Sequence, residues 1–270
     1  MTDKIEIALA EPGDAEILAD ISKRAFDSDI QVGAPGPGGP PGYDSVETHR
    51  RDTQLKNTDY WNVLADGRIV GGTRVYRVND RHHYIYGVFI DPDFHGKGIG
   101  TAFFNLIESR YPHVGKWSLD TPEWNLRTKA FYEKLGFIQV GVLRWVPTFD
   151  LRYYVKLTDT GYRNSITRIS ELGEGMSGLV VEGEITKIAE SREVTSSKDR
   201  KKHHVANATI MDETGTAALV LWDDMIRQIR SGETVRAENV YLTEFRGQLQ
   251  INVHRSGQLI IRSPQQASND

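Results

Sequence analysis

The sequence predicts a mixed α/β (α+β) domain, a sheet flanked by helices, followed by a small all-β barrel. Three observations lead there. Strand-like and helix-like runs alternate up to about residue 157, a short polar segment follows, and after it come five short strand-like runs with one helical stretch. Alternation argues for a mixed sheet with helices packed on it, and the later run of strands argues for a separate core. The 270 residues suffice for both, since domains usually run to roughly 100–200 residues.

The first domain is placed at 1–157. Ile5–Leu9 reads as a strand. Pro12 to Phe26 carries Ile17, Leu18, Ile21 and Ala25 at helical spacing, with proline at the start. Gly33 to Gly42 is almost wholly glycine and proline, which suits neither helix nor central strand. Tyr60 to Tyr76 reads as a hairpin turning at Asp66-Gly67. Tyr84 to Ile90 is a strand that runs into a glycine-rich turn and a helix ending near Tyr111. A strand at Trp117–Leu119, a helix from Asn125 to Leu135, and strands at Phe137–Trp145 and Phe149–Leu157 complete the domain. His82 and His83 open the Tyr84 strand and are expected to be exposed rather than metal-bound, since no further ligand has matching spacing.

Residues 158–165 read as a linker. The second domain, 166–262, has strands at Leu179–Ile188, His204–Met211, Ala217–Trp222, Thr234–Glu244 and Leu249–Val253, with a helix over Asp224–Ile229 after the third. That is the order of a small Greek-key barrel of five strands. The polar tail, 263–270, is expected to be disordered.

Composition narrows the function classes. With no cysteine, disulfides, thiolate metal sites and a cysteine nucleophile are excluded, which suits a reducing cytoplasm. No stretch approaches the roughly 20 apolar residues of a membrane span, so no membrane role is expected. A net charge of −4 offers no global attraction to nucleic acid, so any such binding must come from a local patch.

The chemistry concentrates at Val88-Phe89-Ile90-Asp91-Pro92-Asp93-Phe94-His95-Gly96-Lys97-Gly98-Ile99-Gly100-Thr101. Glycines at alternate positions between a strand and a helix let backbone N–H groups converge on an anion, and the helix adds its positive end. This stretch resembles the coenzyme A loop of the GNAT superfamily of N-acetyltransferases, with His95, Gly98 and Gly100 at the motif positions. His95 stands where that family usually has Arg or Gln. A second segment, Asn125 through Ala130, Phe131 and Tyr132 to Gly136-Phe137, is similar to the other signature of the same family.

The resemblance covers roughly Ile5 to Leu157. It implies acetyl-CoA as co-substrate, an amine acceptor on a protein or a small molecule, and no metal. The coenzyme would be held by the backbone of Val88, Phe89 and Ile90, by His95, Gly96, Lys97, Gly98, Ile99, Gly100 and Thr101, and by Asn125. Tyr132 would be the catalytic proton donor to the leaving thiolate. Asp120, Glu123 and Tyr86 are candidates for the base, and none is singled out. The Gly/Pro loop, followed by Tyr43 and Asp44, would wall the acceptor site.

The second domain resembles the OB-fold of archaeal single-stranded-DNA-binding proteins and replication protein A, through Glu171–Met176, Ala208–Gly215, Leu219–Asp224, Glu238–Tyr241 and Glu244–Asn252. By that resemblance Trp222, Tyr241 and Phe245 would stack on bases of single-stranded DNA or RNA. Lys198, Arg200, Lys201, Lys202 and Arg246 would follow the phosphates. A competing view has Trp222 in the barrel core. The alternatives for the whole chain are a non-catalytic coenzyme A-binding adaptor, and an acetyltransferase whose barrel docks a protein.

Overall fold

In the computed structural model the described residues are 4–146, 149–159, 165–196 and 200–262. They fall into two compact units, one of residues 1–138 with 154–162, the other of 139–153 with 163–270.

In the first unit β1 (Ile5–Leu9) pairs antiparallel with β2 (Thr58–Ala65), which pairs with β3 (Arg68–Asn79), which pairs with β4 (His82–Ile90). The β2–β3 turn is Asp66-Gly67, both residues at positive φ (47° and 78°), the conformation a two-residue hairpin turn needs. Between β1 and β2 lie α1 (Ala15–Asp27) and α2 (Val46–Asp52). The face that α1 buries runs through Ala15, Leu18, Ile21, Ser22 and Ala25. Ile17 falls outside that stripe and is exposed, because Leu18 and Ile21 already set the direction of the helix.

Strand β5 (Lys116–Pro122) is parallel to β4, and α3 (Ile99–Arg110) crosses between them as a parallel connection requires. The chain continues through α4 (Leu126–Lys134), β6 (Ile138–Val146) and β7 (Phe149–Leu157). The core of this unit gathers Val63, Val75, Ile85, Phe103, Phe104, Ile107, Trp117, Leu119 and Tyr154. His82 and His83, expected to be exposed, are both buried. His82 Nε2 lies 2.7 Å from Ser118 Oγ, and the His83 ring packs edge-on against Tyr111 and Trp117. Alternation sends them to opposite faces of a strand covered on both sides, and burial pushes the His83 imidazole down to about 4.

The second unit holds β8 (Ser177–Ile188), β9 (Arg192–Thr195), β10 (Lys202–Asp212), β11 (Gly215–Trp222), α5 (Met225–Gln228), β12 (Thr234–Phe245) and β13 (Gln248–Ile261). Pairing runs β8-β10-β11-β13-β12 and returns from β12 to β8, closing a five-stranded barrel with β11 parallel to β13. This is the strand order of an OB-fold. Ile185, Ile210, Leu219, Leu221, Val235, Val240, Ile251 and Leu259 fill it.

Strand β13 outruns the sequence reading, which stopped at Val253, because polar His254–Ser256 and then Gly257 hide its continuation. Gly257 is required there: a Cβ would lie 2.5 Å from the Glu238 carbonyl oxygen, beside the bulge at Asn239. Residues 139–153 belong to this unit rather than to the first. Val142 pairs with Ile261, Arg144 bonds to Glu233 Oε1 at 2.8 Å and to the Gln228 carbonyl at 2.9 Å, and Arg262 donates to the Val140 carbonyl at 2.7 Å. Lys198, most of the expected linker and the tail lie outside the described residues.

Candidate active site and nucleic-acid interface

Parallel pairing between β4 and β5 covers only His82–Ile85 against Lys116–Leu119. Beyond Ile85 the two strands separate. The cause lies in β4, where the register with β3 shifts and Gly87 takes φ +63°, a bulge that bends the strand. Tyr86 to Ile90 thus leave a strand edge that β5 does not pair with, a geometry that accepts an extended ligand arm as an added strand. Val88 and Ile90 are half-buried there, while the Phe89 side chain turns into the core.

The three loop glycines have different reasons. Gly96 and Gly98 take φ +74° and +78°, and a Cβ on either would meet open space. Gly98 is the N-cap of α3, so the open space lies at the positive end of that helix. Lys97 is exposed and sits over the Phe94 ring, its Nζ 4.7 Å from the ring centre. Gly100 has another role: a Cβ there would lie 3.0 Å from the Phe131 ring, so it serves packing. Ile99 is buried and Thr101 half-buried. His95, although exposed, donates from Nε2 to the Ile90 carbonyl at 2.8 Å and closes the turn on itself.

Tyr132 lies in α4 with its ring among Phe104, Phe131, Phe137 and Tyr154. Burial, then the nearby carboxyl of Asp120, pushes its phenol above the ordinary range, so it keeps its proton at neutral pH. Asn125 is the N-cap of α4: Oδ1 accepts from the Thr128 N–H at 3.1 Å, and Nδ2 donates to Asp29 Oδ2 at 3.2 Å. Asp29, which the sequence did not bring forward, also pairs with Arg127 at 2.5 Å.

Asp120 is the functional candidate that sequence reasoning weighed and left unchosen. It is the partly exposed position in β5 between buried Leu119 and buried Thr121. Enclosure by protein pushes its carboxyl up to about 6, against a bond from the Tyr84 hydroxyl to Oδ2 that favours the charged form. Glu123 is exposed, and the Tyr86 phenol is pushed up to about 12 by burial. Enclosure separates Asp120 from exposed Glu123, and a carboxyl pushed only to about 6 separates it from the Tyr86 phenol; neither leaves a local mark in the sequence.

The Gly/Pro loop passes over the bulge. A Cβ on Gly87 would lie 3.9 Å from Pro40 Cγ and 3.3 Å from Arg74 Nη1. Tyr43 anchors the loop: its hydroxyl donates to Asp27 at 2.9 Å, and its carbonyl accepts from His49 Nε2 at 2.9 Å. With Nε2 carrying the proton, Nδ1 is left to accept from the Tyr60 hydroxyl at 2.5 Å. Asp44 is exposed next to it.

On the barrel, Leu219 and Leu221 point into the core, so Val220 and Trp222 face outward. Val220 stands beside Asn252, and Asn252 beside Tyr241. Phe245 follows Tyr241 at an even spacing on β12, so the three aromatics share the outer face. Trp222 is 39% exposed and Phe245 48%, which excludes Trp222 as a core residue. Tyr241 packs on His254 with ring centres 4.6 Å apart, and the Arg246 guanidinium lies 5.2 Å from the Phe245 ring centre. Arg200, Lys201 and Lys202 are exposed on the β9–β10 hairpin, where Lys202 pairs with Glu193 at 2.9 Å.

Residues 28–137 match the acetyltransferase (GNAT) family, and residues 173–261 match the single-stranded DNA binding protein Ssb-like OB fold. The chain joins a GNAT acetyltransferase domain to an Ssb-like OB fold. Uncharacterized protein YrkN of Bacillus subtilis is 35% identical over 80 residues, 28% of this chain and 43% of that protein. Single-stranded DNA binding protein Ssb of Saccharolobus solfataricus is 28% identical over 85 residues, 32% of this chain and 56% of that protein. The chain thus spans about half the length of each of these curated relatives. Similar solved structures include a probable acetyltransferase (27% identity, TM-score 0.45, 57% of this chain and 93% of that one). The replication factor A related protein of Methanobacterium thermoautotrophicum is another (27% identity, TM-score 0.33, 37% and 93%).

Proposed function

We propose that the chain is an acetyl-CoA-dependent N-acetyltransferase whose barrel binds single-stranded nucleic acid. What carries the first half is the β4 segment that β5 leaves unpaired, the open glycine turn capping α3, and a proton-bearing Tyr132 phenol close enough to feel the Asp120 carboxyl, itself pushed up to about 6.

The fit to acetyl-CoA is direct. The open space at Gly96 and Gly98 admits a pyrophosphate, and the β4 edge suits the pantetheine arm. Acetyl-CoA supplies the thioester carbon to which the acceptor nitrogen bonds as the carbon–sulfur bond breaks. The residues of the chain then have two proton tasks. Asp120, as carboxylate, takes the proton that the nitrogen loses, and Tyr132 gives one to the sulfur. Holding the reactants in line supplies much of the remaining rate. The Gly/Pro loop, pinned by Tyr43, walls the acceptor side.

The second half rests on the three outward aromatics with Arg246 beside them, since single strands are held by stacking platforms and cations along the backbone. A screen of amine acceptors with labelled acetyl-CoA, with and without single-stranded DNA, tests the whole reading. Transfer of label to any protein or small amine supports it. Coenzyme binding without transfer across the panel would leave a coenzyme A-binding adaptor.

A further inference from the structure

Asp120 has two oxygens with unequal surroundings. Oδ2 accepts from the Tyr84 hydroxyl, whereas Oδ1 has no hydrogen-bond partner among the described residues, and Asp120 is only partly buried. The other hydroxyl on the same face of β5, Ser118, is engaged by His82 at 2.7 Å. Tyr84 is therefore the donor on Asp120 among the described residues. We propose that Tyr84 is a positioning residue for proton removal: it commits Oδ2, orients the carboxylate and leaves Oδ1 to receive the acceptor amine's proton. This inference rests on Asp120 being the base.

The setting makes the single bond decisive. The titratable groups that interact with Asp120 are Tyr84 and Tyr86 on β4 and Tyr132 on α4. Burial favours the neutral acid, and the bond from Tyr84 is what opposes it. Removing that hydroxyl must raise the pH at which Asp120 ionises. The active form is the carboxylate, so activity below that pH is lost first. Tyr76, whose ring lies 6.4 Å from that of Tyr84, supplies a control in the same aromatic cluster.

The experiment compares the full-length protein with Tyr84→Phe and Tyr76→Phe. One readout is the pH profile of kcat/KM for acetyl transfer to spermidine and to a short peptide with a free α-amino group. The other is the carboxyl ¹³C resonance of Asp120, assigned with Asp120→Asn. In Tyr84→Phe both the acid limb and the resonance should move upward by about one pH unit, with kcat/KM approaching the wild-type value at high pH. Tyr76→Phe should move neither. An Asp120 resonance that titrates unchanged in Tyr84→Phe would overturn the proposal. So would a limb that stays put while the resonance moves. If the wild type has no acid limb, or neither acceptor is acetylated, the fault lies with Asp120 as base or with the acceptor class, and the resonance alone decides whether Tyr84 holds the carboxylate.

Discussion

The Cβ that Gly100 lacks would lie 3.0 Å from the Phe131 ring, whereas one on Gly98, two residues earlier, would meet nothing within 4 Å. The two glycines of one motif therefore answer to different demands, and substitutions should separate them. Gly100→Val should destabilise the first unit by about 1–3 kcal/mol through overpacking. Gly98→Asn should fold, since Asn tolerates positive φ and caps helices well, yet fill the open space. Acetyl-CoA affinity, measured by calorimetry, should fall at least about tenfold in Gly98→Asn. Undiminished affinity would remove the pyrophosphate from this turn.

Tyr132→Phe keeps the ring among Phe104, Phe137 and Tyr154 and removes only the hydroxyl. Acetyl-CoA affinity should change little, while kcat should drop by roughly 10²–10⁴-fold. Steady-state kinetics with the best acceptor of the screen would show it. A wild-type kcat would return Tyr132 to a packing role.

Burial pushes the Asp120 carboxyl up to about 6, so with Asp120 as the proposed base kcat/KM should rise with pH through that region and level off above it. Asp120→Asn should abolish this limb and lower the rate at pH 7. A profile flat from pH 5 to 8 would point to a different base.

On the barrel, Phe245→Ala in the full-length chain is the informative change, since Phe245 is half exposed and outside the core. Fluorescence anisotropy with a single-stranded oligonucleotide should show a loss of about 1–3 kcal/mol. Replacing Lys201 and Lys202 by Ala should instead weaken binding and flatten its dependence on salt, as fewer counterions are released. If the wild-type chain does not bind single strands at low salt, the barrel is a protein-docking module.

Arg144 ties residues 139–153 to the barrel through Glu233 and the Gln228 carbonyl. Arg144→Ala leaves partly buried acceptors without their donor and should cost about 1–3 kcal/mol, visible as a lower melting temperature of the second unit. An unchanged melting temperature would mean that this strand pair contributes nothing to barrel stability.

What the sequence by itself determined is what neighbouring residues decide. Asp66-Gly67 specifies its turn because both positions need positive φ. The glycine turn before α3 and the Asn125–Phe137 segment are short runs whose backbone demands are written in consecutive residues. Tertiary structure decided everything that depends on what covers a residue. The sequence of β11 left Trp222 open between core and surface, and the folded barrel places it on the outside. His82 and His83 look like an exposed strand start, yet partners more than 30 positions away bury them. Residues 139–153 continue the first domain in sequence, yet Arg144 donates to Gln228 and Glu233 and Val140 accepts from Arg262. Asp120 is one of three base candidates in the sequence, and what distinguishes it, its enclosure and the bond from the Tyr84 hydroxyl, arises only on folding. Desolvation and strand separation arise from chain segments that meet only on folding, and no local pattern of residue types encodes them.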